Sequence, residues 1–281
     1  INACTQGDEE LAEYLQKMVG YSLVGEASEQ VMFFLYGMGA NGKSTFINVV
    51  RHLFGGYGST IPSEALMVNK NAGGGSAARP ELARLRGKRL VVSSELEEGQ
   101  RLSESGVKSM TGGDMIAVRH LYGDFFEFVP CFKLFVVGNH RPHIHGSDHG
   151  IWRRIRMIPF NHSIPERERD PQLEKKLLQE LSGILNWAIE GCIKWQRDGL
   201  GVPEEVRKET EAYRDSEDIM KRFISDCCEI NPANGELQKD LFQSYRNWAA
   251  ENNEWTMANK LFGNKLKEQG FRLQKKSAGN Y

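Results

Sequence analysis

Binding the phosphates of a nucleotide takes backbone N–H groups that can approach closely, a fixed cation, and a hydroxyl for the accompanying Mg²⁺. The segment Gly37-Met-Gly-Ala-Asn-Gly-Lys-Ser-Thr45 offers these in the required order. Main chain from Gly39, Ala40, Asn41 and Gly42 to Thr45 would cradle the phosphates, Lys43 would neutralise β- and γ-phosphate charge, and Ser44 would ligate Mg²⁺. An accidental glycine-rich turn is the alternative reading, and it does not account for a strand, a loop and a helix in that order.

Hydrolysis also needs an acid at the end of another strand. Leu90-Val-Val92 runs through Ser93 and Ser94 into Glu95, the acid nearest the strand end, so Glu95 is expected to share the Mg²⁺ with Ser44. Glu97 and Glu98 follow, and either could belong to a solvated acidic turn. Asn139, at the end of the next apolar strand, could orient an attacking water or polarise the γ-phosphate. Arg153, Arg154 and Arg156 form a cationic cluster with few acids nearby, suited to an exposed role against phosphoryl charge.

A second chemistry is expected from a hairpin, Met115–Val118 and Phe125–Val129, whose connection carries Arg119, His120 and Tyr122 beside a glycine. Cations meet phosphates and aromatic rings stack on bases, which is how single strands are held without reading sequence. An ordinary hairpin with a half-exposed tyrosine is the competing reading. His140, His143, His145 and His149 with Asp148 lie in a loop and not along one helix face, and no cysteine supports them, so they are not read as a metal site.

Several elements must position these residues. Asp8 to Gly20 reads as a packing helix with an acidic start and a glycine stop. Val31–Tyr36 is continuously apolar, as in a strand buried on both faces of a parallel sheet, and helical spacing resumes at Phe46, Val49, Val50, Leu53 and Phe54. Arg89–Val92 and Lys133–Val137 read as further strands. One long helix is expected from Asp170-Pro171 towards Gly199, closing the core. A charged connecting helix from Pro203 to Asp218 then leads to helices near 219–228, 237–250 and 257–269 and a short basic ribbon, which together suggest a winged helix. Lys265, Lys267, Arg272, Lys275 and Lys276 could contact duplex DNA or form a solvated basic surface.

The 281 residues can bury a sizeable core and a smaller appendage, and 40% hydrophobic with 26% charged residues argues against a disordered chain. No apolar run is long enough for a bilayer, and no membrane partner is expected. A net charge of −1 gives no global signature of a nucleic-acid binder. Five cysteines without C-x-x-C spacing read as reduced thiols in a cytosolic setting. Because the first residue is Ile1 and no signal peptide follows, the sequence reads as a fragment of a longer protein.

Taken in order, the Gly37–Thr45 loop, Ser-Glu-Leu-Glu-Glu-Gly, Val-Lys-Ser-Met-Thr-Gly-Gly-Asp, Val-Gly-Asn-His-Arg-Pro and Trp-Arg-Arg-Ile-Arg-Met-Ile-Pro-Phe resemble a superfamily 3 helicase. The likeness is to the helicase half of phage, plasmid and poxvirus primase-helicases, from about Asp8 to the C-terminus. It implies an α/β fold with a P-loop AAA+-like core, a mainly parallel sheet flanked by helices, and a small winged-helix-like C-terminal domain. The expected domains are an N-terminal helical segment over 1–30, the ATPase core over 31–200, and the linker helix with the winged-helix-like domain over 201–281.

The resemblance also implies a homohexameric ring acting on single-stranded or forked DNA, with ATP and Mg²⁺ at each interface. It implies a primase domain upstream and a phage- or plasmid-type replication system in the host cytosol. Carried across, Lys43 and Ser44 match the first motif, Glu95 the second and Asn139 the sensor; Arg154 matches the arginine finger, and Lys108 lies in the stretch that introduces the hairpin. The family often has two adjacent acids where this sequence separates Glu95 from Glu97 by Leu96. The expected function is ATP-dependent DNA unwinding. The alternative is a nucleotide-switched, DNA-binding initiator or scaffold that does not unwind. A small-molecule kinase on the same loop would need an acceptor lid that nothing here resembles.

Overall fold

Strands buried on both faces must be covered by helices on both sides, and the apolar runs around Phe33, Val91 and Phe135 meet that requirement in a parallel sheet. A computed structural model of the chain describes residues 1–68, 79–94, 96–144, 149–231, 234–272, 274–276 and 279–280. In chain order its elements are α1 (Asn2–Thr5), α2 (Glu9–Ser22), β1 (Met32–Tyr36), α3 (Lys43–Phe54), β2 (Gly58–Ile61), α4 (Pro80–Ala83), β3 (Leu90–Ser94) and α5 (Glu104–Thr111). They continue as β4 (Ile116–Arg119), β5 (Phe125–Phe128), β6 (Lys133–Gly138), α6 (His149–Trp152), β7 (Ile155–Pro159), α7 (Leu173–Gln179), α8 (Leu181–Asp198) and α9 (Glu204–Glu217). The last are α10 (Ile219–Cys227), α11 (Gln238–Glu251), α12 (Asn259–Glu268), β8 (Lys275–Lys276) and β9 (Gly279–Asn280). None of the described helices is long and apolar enough to cross a membrane.

The chain divides into two compact units, Ile1–Glu211 and Ala212–Tyr281. The first holds a five-stranded sheet in the order β2-β3-β6-β1-β7, with every pairing parallel. β1 pairs with β6 from Met32↔Leu134 to Tyr36↔Gly138 and with β7 from Met32↔Ile155 to Tyr36↔Pro159. All strands therefore point the same way, and the loops after β1, β3 and β6 gather at one edge. The edge strand β2 has no counterpart in the sequence reading: Gly58-Ser-Thr-Ile61 is short, mostly polar and half-exposed, so it carries no apolar run.

Asp8 caps α2 by accepting from the Leu11 nitrogen at 2.9 Å, and Leu11, Tyr14, Leu15, Met18 and Val19 are buried as the periodicity expects. Gly20 does not stop the helix, which continues to Ser22. Its role is close packing: a Cβ there would lie 2.1 Å from the Cys192 nitrogen, and one on Gly191 would lie 2.1 Å from the Gln16 carbonyl oxygen. The two glycines let α2 and α8 touch backbone to backbone.

The single long helix expected after Asp170-Pro171 is two helices, α7 and α8, that break at Glu180. Their buried face is also narrower than expected. Ala188 and Trp195 are buried, whereas Leu185, Ile189 and Ile193 are exposed along one stripe of α8.

The second unit closes α10, α11 and α12 around Met220, Phe223, Tyr245, Trp248, Met257 and Phe262. Tyr245 donates its buried hydroxyl to the Trp255 carbonyl at 2.8 Å, so the aromatic centre carries a satisfied polar group. β8 and β9 form a short antiparallel ribbon after α12.

Sequence places the end of the core after residue 200, but the main core continues through Leu200 to Val206, and the Met157 nitrogen donates to Thr210 at 3.0 Å. The two units meet inside α9, because the first turns of that helix belong to the sheet's core. A chain ending at Gly199 should therefore be less stable than one ending at Glu217, by on the order of 1.5–3 kcal/mol for each of the two lost apolar side chains. Urea denaturation of the two truncations measures the difference, and equal midpoints and slopes would place the boundary at 199 after all.

Candidate functional site

At the end of β1 the chain turns away through Gly37, where a Cβ would lie 2.2 Å from the Phe160 carbonyl oxygen. Only glycine permits that approach. The Phe160 nitrogen donates to the Tyr36 carbonyl at 2.7 Å, and the Ile164 nitrogen to the Ala40 carbonyl at 2.8 Å. Asn41, buried, donates through Nδ2 to the Phe160 carbonyl at 2.7 Å and to the Met38 carbonyl at 2.8 Å. The loop is thus pinned to the chain leaving β7. Ala40 and Gly42 are left-handed, and Gly42 starts α3 with no side-chain cap among the described residues. The first N–H groups of α3 are left for water or an anion.

Lys43 is 4% exposed, and its Nζ donates to the Gly37 carbonyl at 2.5 Å and to Asn41 Oδ1 at 3.0 Å. Burial pushes its pKa below the ordinary lysine value, because desolvation disfavours the charged ammonium. Ser44 is exposed, Thr45 half-buried.

These residues border a cleft of about 530 Å³ that also receives Val92, Leu96, Val137, Asn139 and His140. Its size suits a nucleotide-sized ligand. The structure thus brings the Gly39–Thr45 loop and Asn139 together, on adjacent strand ends. Glu95 lies outside the described residues, while its neighbours along the chain, Val92 and Leu96, both line the cleft. Glu97 is exposed and accepts from Gln100 Nε2 at 3.3 Å.

Two cleft residues escape the sequence reading. Arg51, exposed, and Asn48, bound to Glu174 Oε2 at 3.1 Å, reach the same cleft as Lys43. Helical spacing at i+4 and i+7 from Ser44 was the available signal. Beyond Asn139, Arg141 lays its guanidinium 4.1 Å from the Tyr36 ring centroid and pairs with Glu209 at 3.0 Å, tying α9 to the strand that leads into the loop.

Arg154 is not exposed, as its cationic surroundings led us to expect. It is 8% exposed, and Nε donates to Thr111 Oγ1 at 3.2 Å, Nη1 to the Gly150 carbonyl at 2.8 Å and Nη2 to Gln30 Oε1 at 3.4 Å. Three donors facing three acceptors fix a planar guanidinium in the interior. Arg153, its neighbour, is the exposed member of the pair and also donates to Gln30 Oε1, at 3.2 Å. Both precede β7 and so lie at the N-terminal edge of the sheet, roughly 13 Å or more from the loop edge by strand rise alone.

The hairpin forms from β4 and β5 in the register Ile116↔Phe128 to Arg119↔Phe125. Tyr122 is 100% exposed at its tip, in a left-handed conformation, beside exposed Leu121. Arg119 lies over the Phe125 ring at 5.0 Å, and His120 stacks on Phe126 at 5.4 Å with Arg86 on the same ring at 5.7 Å. His120 is therefore engaged within the hairpin, and Tyr122 is its free aromatic. Lys108 stands in the last turn of α5, half-buried. In the histidine-containing loop, His140 lines the cleft and the His143 main chain pairs with Gln100 and Leu102. His145 and Asp148 lie outside the described residues.

Comparison with known proteins adds the following. Residues 35–154, from the end of β1 to Arg154, match a family of unknown function, DUF5906. The chain is 30% identical over 266 residues to a protein named as a putative helicase of Acanthamoeba polyphaga mimivirus, covering 88% of this chain and 28% of that protein. It is 27% identical over 264 residues to a putative helicase of Frog virus 3, covering 87% and 27%. A putative primase of African swine fever virus is 23% identical over 241 residues, covering 78% and 25%. The chain thus spans little more than a quarter of the length of these viral relatives. Among solved structures, the C-terminal region of NrS-1 superimposes with a TM-score of 0.57 at 15% identity, over 80% of this chain and 55% of that one. That likeness concerns the fold.

Asn41 is the residue on which the loop's shape rests most directly. Asn41→Ala should lower unfolding stability by about 1–3 kcal/mol, since it leaves a buried carbonyl and Lys43 each short of a partner. Ser44→Ala, at an exposed position, should stay within about 0.5 kcal/mol. Parallel denaturation curves separate the two, and equal effects would show that the loop is held elsewhere.

Proposed function

We propose that this chain is the motor of a replicative DNA helicase of the superfamily 3 type, hydrolysing Mg·ATP between the subunits of a homohexameric ring. The observation that carries the reading is the buried Lys43 ammonium, which among the described residues meets the neutral oxygens of Gly37 and Asn41, at the start of α3, where no described side chain caps the helix, in a cleft shared with Asn139. A cation so placed is arranged for an anion of several charges. The strand order β2-β3-β6-β1-β7 supports a P-loop AAA+-like core, because β6 with Asn139 is inserted between the loop strand and the strand leading to Glu95. Ser44 and Glu95 would hold Mg²⁺, and Asn139 would orient the attacking water. The helicase and primase names of the viral relatives support a role in replication, and their greater length leaves room for an upstream primase domain.

The sheet's polarity supports the ring. Arg153 and Arg154 lie at the edge opposite their own phosphate loop, so they are positioned to act on a neighbour's nucleotide and not on their own. Exposure favours Arg153 over the expected Arg154 as the finger, with Arg154 holding it in place. The hairpin supplies the DNA contact through Tyr122, with Arg119 and Lys108 as cations behind it. The compact α10–α12 unit with its β8–β9 ribbon is read as a winged helix, a second DNA-binding element. Such a protein would work wherever the viral genome is copied.

Strand displacement should proceed with ATP and fail with a nonhydrolysable analogue, and Lys43→Ala should abolish it. Arg153→Ala should keep nucleotide binding yet lose hydrolysis on the order of a thousandfold, since a finger acts on transition-state charge. Rings mixed from Lys43→Ala and Arg153→Ala subunits should regain turnover that neither shows alone. Normal hydrolysis by Arg153→Ala in assembled rings would return the role to Arg154 or move it to Arg156, and displacement without hydrolysis would remove the motor reading.

A further inference from the structure

Gln30 stands just before β1 with φ +53°, a left-handed conformation that a non-glycine residue adopts at a cost. Its side chain explains the position. Oε1 accepts from Arg153 Nη2 at 3.2 Å and from Arg154 Nη2 at 3.4 Å, while Nε2 donates to the Gly112 carbonyl at 3.1 Å. Only this orientation of the amide meets two guanidinium donors on one side and a carbonyl on the other. Gly112 ends α5 and leads directly into β4 of the hairpin, and Thr111, its neighbour, accepts from Arg154 Nε at 3.2 Å. The tip-bearing hairpin and the exposed Arg153 are therefore joined through two short arms, Gln30–Gly112 and Arg154–Thr111.

We propose that Gln30 and Thr111 are positioning residues that couple Arg153 to the base of the hairpin, so that strand engagement at Tyr122 and the seating of Arg153 on an adjoining subunit's nucleotide bias one another. The proposal rests on the reading of Arg153 as finger and of the hairpin as the DNA element. The Arg154–Thr111 arm is buried and the Gln30–Gly112 arm half-buried, a setting in which geometry is held by neighbours and small shifts are transmitted.

Two substitutions cut the arms and a third serves as control. Gln30→Met keeps length, adds no charge beside Arg153 and removes the amide that joins the arginines to Gly112. Thr111→Val keeps volume and removes the hydroxyl that Arg154 uses, whereas Thr111→Ser keeps that hydroxyl and its bond to the Val107 carbonyl at 2.7 Å. In the full chain, Gln30→Met and Thr111→Val should leave KM for ATP and single-strand affinity near wild type, with each variant's DNA-free turnover serving as its own baseline. The stimulation of kcat by an oligothymidylate should fall about 2- to 30-fold, the range expected of residues in a coupling network. Thr111→Ser should restore it. Full stimulation in both cut variants would overturn the coupling, as would loss of stimulation in Thr111→Ser equal to that in Thr111→Val. A wild-type protein that hydrolyses ATP without any response to DNA would instead sink the function on which the coupling rests.

Discussion

The geometry of the site depends on one backbone junction, where the chain leaving β7 crosses the chain leaving β1. Phe160 donates its N–H to Tyr36 and offers its carbonyl to Asn41, and the same carbonyl sits where a side chain at Gly37 would be. The shape of the Gly37–Thr45 loop is consequently set by the neighbouring strand. Glycine at position 37 answers a steric demand from Phe160. Asn41 has its amide committed to two carbonyls and its oxygen to Lys43, which leaves it as scaffold while Gly42, Lys43, Ser44 and Thr45 line the cleft.

That junction also fixes the electrostatics. An ammonium brought out of water loses hydration that two neutral oxygens replace only in part, which is the cause of the lowered Lys43 pKa. The unsatisfied α3 terminus adds partial positive charge at the same spot. Both costs are offset by an anion and by nothing else in the described surroundings of the loop. Pre-set donors in a partly water-excluded cleft need little reorganisation when charge arrives, which favours groups whose charge grows during reaction.

Much of this was legible in the residues. The loop, the strand before it and the helix after it follow from Gly37, Lys43 and the uninterrupted run Met32–Tyr36, since spacing and burial there obey local rules. The hairpin and the helices from α9 to α12 were likewise local patterns. What the sequence hid was set by tertiary contact. Gly20 looks like a helix stop until α8 arrives against it, and β2 has no pattern because an edge strand needs little burial. Arg154 reads as exposed because charge density along a chain carries no information about the acceptors, Gly150, Thr111 and Gln30, that folding brings to it. Gln30 itself gives no sequence signal, being an ordinary polar residue before a strand whose role exists only once the two arginines and Gly112 converge.

Parallel strands carry a further consequence. In a sheet of uniform direction, loops after strands collect at one edge and residues before strands at the other, so a chain that places its phosphate loop after β1 and its arginines before β7 separates them by the length of a strand. Neither group can reach across its own sheet. In the proposed ring a second copy would remove the separation, with the N-terminal edge of one sheet facing the cleft of the next. Head-to-tail contacts of this kind close into rings when the rotation between copies allows it. The burial of Arg154 fits the same logic: with one arginine locked by Thr111, Gly150 and Gln30, the adjacent Arg153 starts from a rigid base, and less conformational freedom is lost when it meets charge on a neighbour.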